Sequence, residues 1–186
     1  MNNNYLPSDY QTFIATSRYA RWLEDEGRRE TWGETVERYL QNIAKTGLKP
    51  VDRQEVRGAI RGLEVMPSMR SMMTAGKAAD RDNTCMYNCS YLPVDDPKSF
   101  DEAMFILLCG TGVGFSVERQ FITKLPDVPT LFQSETCVVI KDSKEGWAKG
   151  LRQVLALLWA GEIPKWDVSK VRPAGARLKT FGGRAS

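Results

Sequence analysis

The chain has 186 residues, 42% hydrophobic and 26% charged, with a net charge of +3, four cysteines and no histidine. Its length and apolar content suffice for a sizeable core. The missing imidazole excludes Ser/His/Asp and Cys/His nucleophile arrangements and most zinc chemistries, which leaves thiols, carboxylates, backbone groups or a partner.

The charge is uneven. Lys165, Lys170, Arg172, Arg177, Lys179 and Arg184 stand against a single acid, Asp167, in the last stretch, which favours a solvated basic surface over one facing a polyphosphate. The opening MNNNYLPSDY lacks a signal-peptide pattern, and the longest apolar run, 103–109, is too short to cross a bilayer. A cytoplasmic protein with reduced thiols is expected, with no membrane and no direct nucleic-acid partner.

In chain order, Tyr10, Phe13, Ile14 and Ser17 begin an amphipathic helical run that continues through Ala20 and Leu23. Thr31 with Glu34 forms a capping-box pattern before Val36, Tyr39, Leu40 and Ile43, and Gly47 with Pro50 supplies a stop. Asp52 with Glu55 opens a third helix carrying Val56, Ile60 and Leu63. The texture changes at VMPSMRSMMTAG, so 1–65 reads as a helical region and 66–186 as a mixed α/β body. Ser99 with Glu102 makes another capping pattern ahead of a helix bearing Phe100, Ala103, Met104, Leu107 and Leu108, with Gly110 at its end. Val113, Phe115 and Val117 then alternate as a strand, 136–140 is strand-like, and 144–160 reads as a helix with Trp147, Leu151, Val154, Leu155 and Leu158 inward. Strands and helices alternating at this spacing predict a parallel α/β arrangement. The chain stops inside a Gly-rich turn, so a truncated or split polypeptide is expected.

The segment CGTGVGFSVE invites comparison with nucleotide loops. However, Phe115 occupies the third glycine position of a dinucleotide fingerprint, no Gly-Lys-Ser/Thr follows, and the order is helix, glycine, strand. Either the glycines cap a helix and let a strand pack closely, or they leave room for a flat ligand. Cys85 and Cys89 form C-x-x-x-C, unlike redox C-x-x-C pairs and most zinc knuckles, so no metal site is expected. Cys109 and Cys137 fall in apolar elements and read as buried, inert thiols. Cys89, where a polar loop enters a strand, is the candidate working thiol.

Taken together, MPSMRSMMTAG, YNCSYLPVDDPKSFDEAMFILLCGTGVGFSVERQ, DSKEGWAKGLRQVLALLWAGEIPKWD and VRPAGARLKTFGGRAS resemble the front part of the adenosylcobalamin-dependent ribonucleoside-triphosphate reductases, the class II ribonucleotide reductases. DYQTFIATSRYARWLEDEGRRETWGETVERY is similar to that family's N-terminal helices. The resemblance implies a ten-stranded α/β barrel, of which this chain supplies the helices and first strands. In the family, adenosylcobalamin homolysis generates a thiyl radical that takes the ribose 3′ hydrogen. The 2′ hydroxyl leaves as water, and two cysteines supply the electrons and become a disulfide, re-reduced by a thioredoxin-like donor. Cys89 matches the first of those reducing cysteines.

Met66, Ser68, Asn88 and Gly110 align with positions around the substrate, a ribonucleoside triphosphate. Asp96 aligns with an acid that holds a dNTP effector, although a turn acid before Pro97 accounts for it equally well. Asp142 borders the same effector site. The radical cysteine, the second reducing cysteine and the main cobalamin contacts lie outside this chain, so a second polypeptide or missing half must complete the barrel. The alternative is a noncatalytic nucleotide-binding regulatory module of the same fold.

Overall fold

The computed structural model describes residues 6–47, 49–178, 184 and 185. The chain forms two compact units, one running to Tyr87 and the other spanning Asn88–Leu178. The compositional change near residue 65 falls within the first of them.

The first unit is helical. Ser8 Oγ accepts from the Gln11 amide at 3.3 Å and opens α1, Asp9–Ile14. A π-helical turn, Ala15–Tyr19, follows, and the chain turns extended at Ala20. The helical run expected to reach Leu23 therefore ends early. Its acidic continuation, Glu24 to Gly27, makes the turn of a small antiparallel hairpin, β1 (Trp22–Leu23) with β2 (Arg28–Arg29). Gly27 supplies the left-handed residue at φ 62°. Tyr10 and Phe13, spaced as a core face, are 73% and 65% exposed.

Helix α2, Trp32–Ile43, has the expected capping box. Thr31 Oγ1 accepts from the Glu34 amide at 3.2 Å, and Glu34 Oε2 accepts from the Thr31 amide at 2.6 Å. Gly47, at φ 93°, ends the 3-10 turn Ala44–Thr46 that follows. Pro50 is the first residue of α3, Pro50–Arg61, rather than a stop, because its missing N–H costs nothing in a first turn. Val36, Leu40, Trp32 and Ile60 form the core with Met72 from α4, Met69–Thr74. Behind it, α5 (Lys77–Arg81) and a 3-10 turn, Asn83–Met86, bury Ala78, Ala79 and Cys85 together.

One buried ion pair ties this unit together. Arg38 Nε donates to Glu30 Oε1 at 2.8 Å, while Nη1 donates to the Met72 and Ala75 carbonyls at 2.8 and 2.9 Å and Nη2 to the Tyr19 carbonyl at 2.9 Å. The Glu30 Oε2 atom also accepts from Thr35 Oγ1 and the Arg21 amide. Satisfying nearly every donor and lone pair is what makes such a buried pair tolerable.

The second unit is two parallel βαβ steps, as the alternation predicted. Strand β3 (Cys89–Pro93), α6 (Lys98–Leu108) and β4 (Gly112–Ser116) form the first, with Cys89 opposite Gly112 and Pro93 opposite Ser116. A short helix, α7 (Arg119–Ile122), leads to β5 (Phe132–Val139), α8 (Lys144–Trp159) and β6 (Glu162–Asp167), the second step. The Ser99/Glu102 capping box does not form. Helix α6 starts one residue before Ser99, whose buried hydroxyl donates instead to the Pro93 carbonyl at 3.0 Å. The N-cap residue is Pro97, and Asp96 makes the turn into the helix, with Oδ1 accepting from the Lys98 amide at 2.8 Å. Gly110, at φ 84°, ends α6 as its position suggested.

Helices α6 and α8 are joined by Arg152, whose Nε donates to Oδ2 of the buried Asp101 at 2.9 Å, and by Phe100 against Trp159. Two glycines let α8 approach β5 and the loop behind it. A Cβ on Gly146 would stand 2.3 Å from the Lys141 carbonyl oxygen, and one on Gly150 would stand 2.3 Å from Ile140 Cδ1. Among the described residues no helix is long and apolar enough to cross a membrane.

Candidate functional site

Cys89 is the first residue of β3, and its side chain is exposed. Its neighbour across the ladder is Gly112, whose amide donates to the Asn88 carbonyl at 2.9 Å. Ser90 Oγ donates to the Gly112 carbonyl at 3.2 Å and holds the pair from the side. A Cβ built on Gly112 would lie 3.9 Å from Cys89 Sγ and 3.5 Å from the Asn88 carbonyl oxygen.

Period-two alternation puts Cys89 and Tyr91 on one face and Leu92 toward the interior. On that face their partners in β4 are Gly112 and Gly114. Both positions opposite Cys89 and Tyr91 are therefore bare backbone, and Tyr91 (63% exposed) stands beside the thiol. Of the two uses considered for the glycines, room for a flat ligand is the one this geometry favours, since Gly114 meets only the Ser90 carbonyl oxygen, at 3.7 Å.

The thiol sits at the amino end of β3, with the C-terminus of α6 near the start of β4. This differs from the rule that open parallel sheets hold ligands beyond the carboxyl ends of their strands. The carboxyl end is where Asp96 lies, so the strand, at about 3.3 Å per residue, separates the candidate thiol from the candidate effector acid. Asp96 is exposed, and its bond to the Lys98 amide fulfils the turn role foreseen for it. Asp142 follows the carboxyl end of β5 and accepts from Arg172 Nε through both oxygens, at 2.9 and 2.8 Å.

Asn88 is exposed, and Gly110 caps α6 two residues before Gly112. Met66 and Ser68 belong to the first unit. Met66 is 50% exposed, and Ser68 caps α4, its Oγ accepting from the Ser71 amide at 3.5 Å.

The four cysteines are all free thiols in different settings. Cys85 is buried in the first unit and Cys109 is buried at the end of α6, as expected. Cys137 is exposed, contrary to the inert buried thiol its apolar neighbours suggested. Val138 in β5 and Ile140 just after it are buried, so period two turns Cys137 outward. Among the described residues no cluster of three His, Cys, Asp or Glu could hold a metal ion.

Sequence reasoning missed Tyr91 and the pairing of Cys89 with Gly112. The alternation in YNCSYLP and GTGVGFS carries the signal for both faces, although not their register. It also missed Lys144, whose Nζ donates to Cys109 Sγ at 3.1 Å. Nothing local links residues so far apart in sequence.

No family model matches the chain. It is 28% identical over 206 residues to a putative adenosylcobalamin-dependent ribonucleoside-triphosphate reductase of Mycobacterium phage D29, covering 90% of this chain and 29% of that protein. Adenosylcobalamin-dependent ribonucleoside-triphosphate reductases of Lacticaseibacillus paracasei and Lactobacillus leichmannii are each 28% identical, over 247 and 242 residues, with 90% of this chain and 32% of theirs covered. The chain thus spans under a third of the length of these curated relatives. A crystal structure of a B-12 dependent (class II) ribonucleotide reductase superposes with a TM-score of 0.78 at 22% identity, over 94% of this chain and 34% of the other. The α/β fold is that of the matching part of this structure, and the resemblance carried by the sequence motifs is borne out.

Proposed function

We propose that this chain is one portion of an adenosylcobalamin-dependent ribonucleoside-triphosphate reductase, in which Cys89 is one of two thiols that reduce the ribose. The observation that carries the reading is the exposed Cys89 thiol opposite Gly112 and beside Tyr91 and Gly114, in a chain with the fold of the matching part of a class II reductase. In the proposed chemistry the 2′ C–O bond breaks and the hydroxyl departs as water. Two thiols give up two electrons and become a disulfide, and a thioredoxin-like dithiol restores them. The ring must lie close over the sulfur, and side chains at positions 112 and 114 would hold it away. Asn88, Gly110, Met66 and Ser68 are the proposed substrate contacts, Asp96 the proposed effector contact, and 66–186 the opening portion of the barrel.

Three described grooves, of about 510 to 560 Å³, are each smaller than a corrin with its nucleotide loop needs. Adenosylcobalamin is accordingly proposed for the assembled protein, held mostly by segments outside this chain, where it would supply the radical that starts the reaction. Large exposed side chains on the second unit, Phe115, Phe132 and Trp166 at 64%, 69% and 68%, support packing by a completing segment.

The test mixes the chain with the polypeptide proposed to complete it, adenosylcobalamin, a ribonucleoside triphosphate and a dithiol donor, and follows deoxynucleotide formation. Multiple turnover is expected from the native chain, and its loss from Cys89→Ser. Full multiple turnover by Cys89→Ser overturns the role of this thiol. If dNTP binds and no completing polypeptide restores turnover, a regulatory module becomes the better reading.

A further inference from the structure

Of the two buried thiols that the proposed reduction does not use, Cys85 and Cys109, the second has an amine against it. Cys109 is the C-cap residue just after α6, 4% exposed, and its sulfur accepts from Lys144 Nζ at 3.1 Å. Lys144 is the first residue of α8, and its Nζ also lies 4.8 Å from the centroid of the Phe105 ring, one turn before Cys109. A cationic donor at this distance stabilises the anionic form of the sulfur against the cost of its burial. The aromatic face holds the cation in place.

We propose that Cys109 and Lys144 are a redox-sensitive covalent clamp, in which a hydroperoxide drives formation of a reversible sulfur–nitrogen bond between α6 and α8. The Cys109 thiolate attacks one peroxide oxygen and breaks the O–O bond. Sulfur becomes a sulfenic acid, and the departing hydroxide takes a proton from the Lys144 ammonium to form water. The neutral amine then attacks the same sulfur, the S–O bond breaks, and hydroxide leaves with an amine proton as a second water. Thiolate, ammonium and hydrogen peroxide thus give a sulfenamide and two waters. Sulfur loses two electrons, which the peroxide gains. Sulfenic acids condense readily with a nearby nitrogen or thiol, and here the nitrogen is already at hydrogen-bond distance. A dithiol reverses the step by attacking the sulfur and releasing the amine. The bond would tie the residue that opens the Gly110–Thr111 turn, which leads to Gly112, the ladder partner of Cys89, to the start of α8.

The test needs no activity. The full chain is treated with increasing hydrogen peroxide and mapped by peptide mass spectrometry, with bulky disulfide reagents used in parallel on untreated protein. The expected result is a cross-linked peptide pair carrying Cys109 and Lys144, two hydrogen atoms lighter than the reduced pair and restored by dithiothreitol. Bulky reagents should label Cys89 and Cys137 and leave Cys109 unlabelled. In Lys144→Arg, which keeps the cation, the cross-link should be lost and Cys109 should proceed to sulfinic acid. The proposal is overturned if Cys109 in the native chain stays reduced at peroxide levels that fully oxidise Cys89, if it oxidises without the link, or if it links to a different residue. The native chain alone decides these outcomes, whatever the folding of the variant.

Discussion

Replacing Arg38 with Met probes the bond network that organises the first unit. The side chains of Arg38 and Glu30 are 15% and 6% exposed, so the substitution leaves a carboxylate in the interior without its countercharge. Glu30 keeps the Thr35 hydroxyl and the Arg21 amide at 3.1 and 3.0 Å and the attraction of the Arg21 guanidinium, and these soften the loss without replacing the direct pair. The carbonyls of Tyr19, Met72 and Ala75 lose a donor at the same time. Breaking a buried pair by removing one partner costs roughly 3–5 kcal/mol, a large share of the 5–15 kcal/mol typical of a domain. With a urea slope of about 2 kcal/mol per molar, the midpoint for this unit should fall by about 2 M. Pulsed hydrogen exchange across a urea series, read on peptides from α2, reports this unit selectively. Adding Glu30→Gln to Arg38→Met should recover part of the loss, because the orphaned charge is gone. A midpoint shift under about 0.5 M, corresponding to about 1 kcal/mol, would mean that the pair behaves as a surface salt bridge and that the reasoning is wrong.

Three further outcomes are expected. The Arg28 guanidinium and the Thr31 amide hold the Glu34 carboxyl down at about 2, against an ordinary 4.5. Its contribution is therefore fully present above about pH 4.5 and disappears as the pH falls through 2. Glu34→Gln should cost about 1 kcal/mol at pH 7, discounted because the side chain is 41% exposed; urea midpoints of the two proteins should converge near pH 2, and a gap independent of pH contradicts this. Gly146→Ala should destabilise the α8 start by about 2–3 kcal/mol, since the new methyl meets a backbone oxygen that cannot rotate away; amide exchange across α8 measures this, and native protection in the variant refutes it. Gly112→Val should slow thiol–disulfide reaction of Cys89 several-fold with little loss of folding, because its methyls cover the sulfur while its Cβ fits at ordinary contact distance; equal rates would show that the sulfur points away from β4.

Where bonding is local, the sequence is readable. The Thr31/Glu34 box, the left-handed ends at Gly47 and Gly110, and both βαβ steps depend on neighbours in the chain. Tyr10 and Phe13 show the limit of this reading, because helical spacing tells which residues share a face and not what covers that face. Ser99 fails for a related reason. Its hydroxyl goes to the Pro93 carbonyl, six residues back, which a cap pattern does not encode, while Asp96 makes the turn. At the site, the motif resemblance singled out Cys89, and its exposure could be guessed from its place at a strand entrance. The glycine opposite it could not, because register across a parallel pair depends on the crossover that joins the strands. The Arg38 and Lys144 contacts span still longer separations, which no periodicity encodes.

The exposure of Cys89 belongs with that of the other strands of the second unit, in both of its parallel pairs. Parallel strands are normally covered on both faces, yet Tyr91, Phe115, Phe132, Val139 and Trp166 are all exposed here. Faces this apolar imply a covering partner, so the access enjoyed by Cys89 in this chain exceeds what it would have in the proposed complete barrel. A reducing thiol needs that restriction, because a sulfur open to solvent is consumed by any oxidant. It follows that the completing polypeptide should protect Cys89 from bulky disulfide reagents while leaving it reactive toward a small dithiol donor after turnover. Protection of Cys137 without protection of Cys89 would place the covering segment over the β5–β6 pair alone and leave the proposed ribose site outside the assembly.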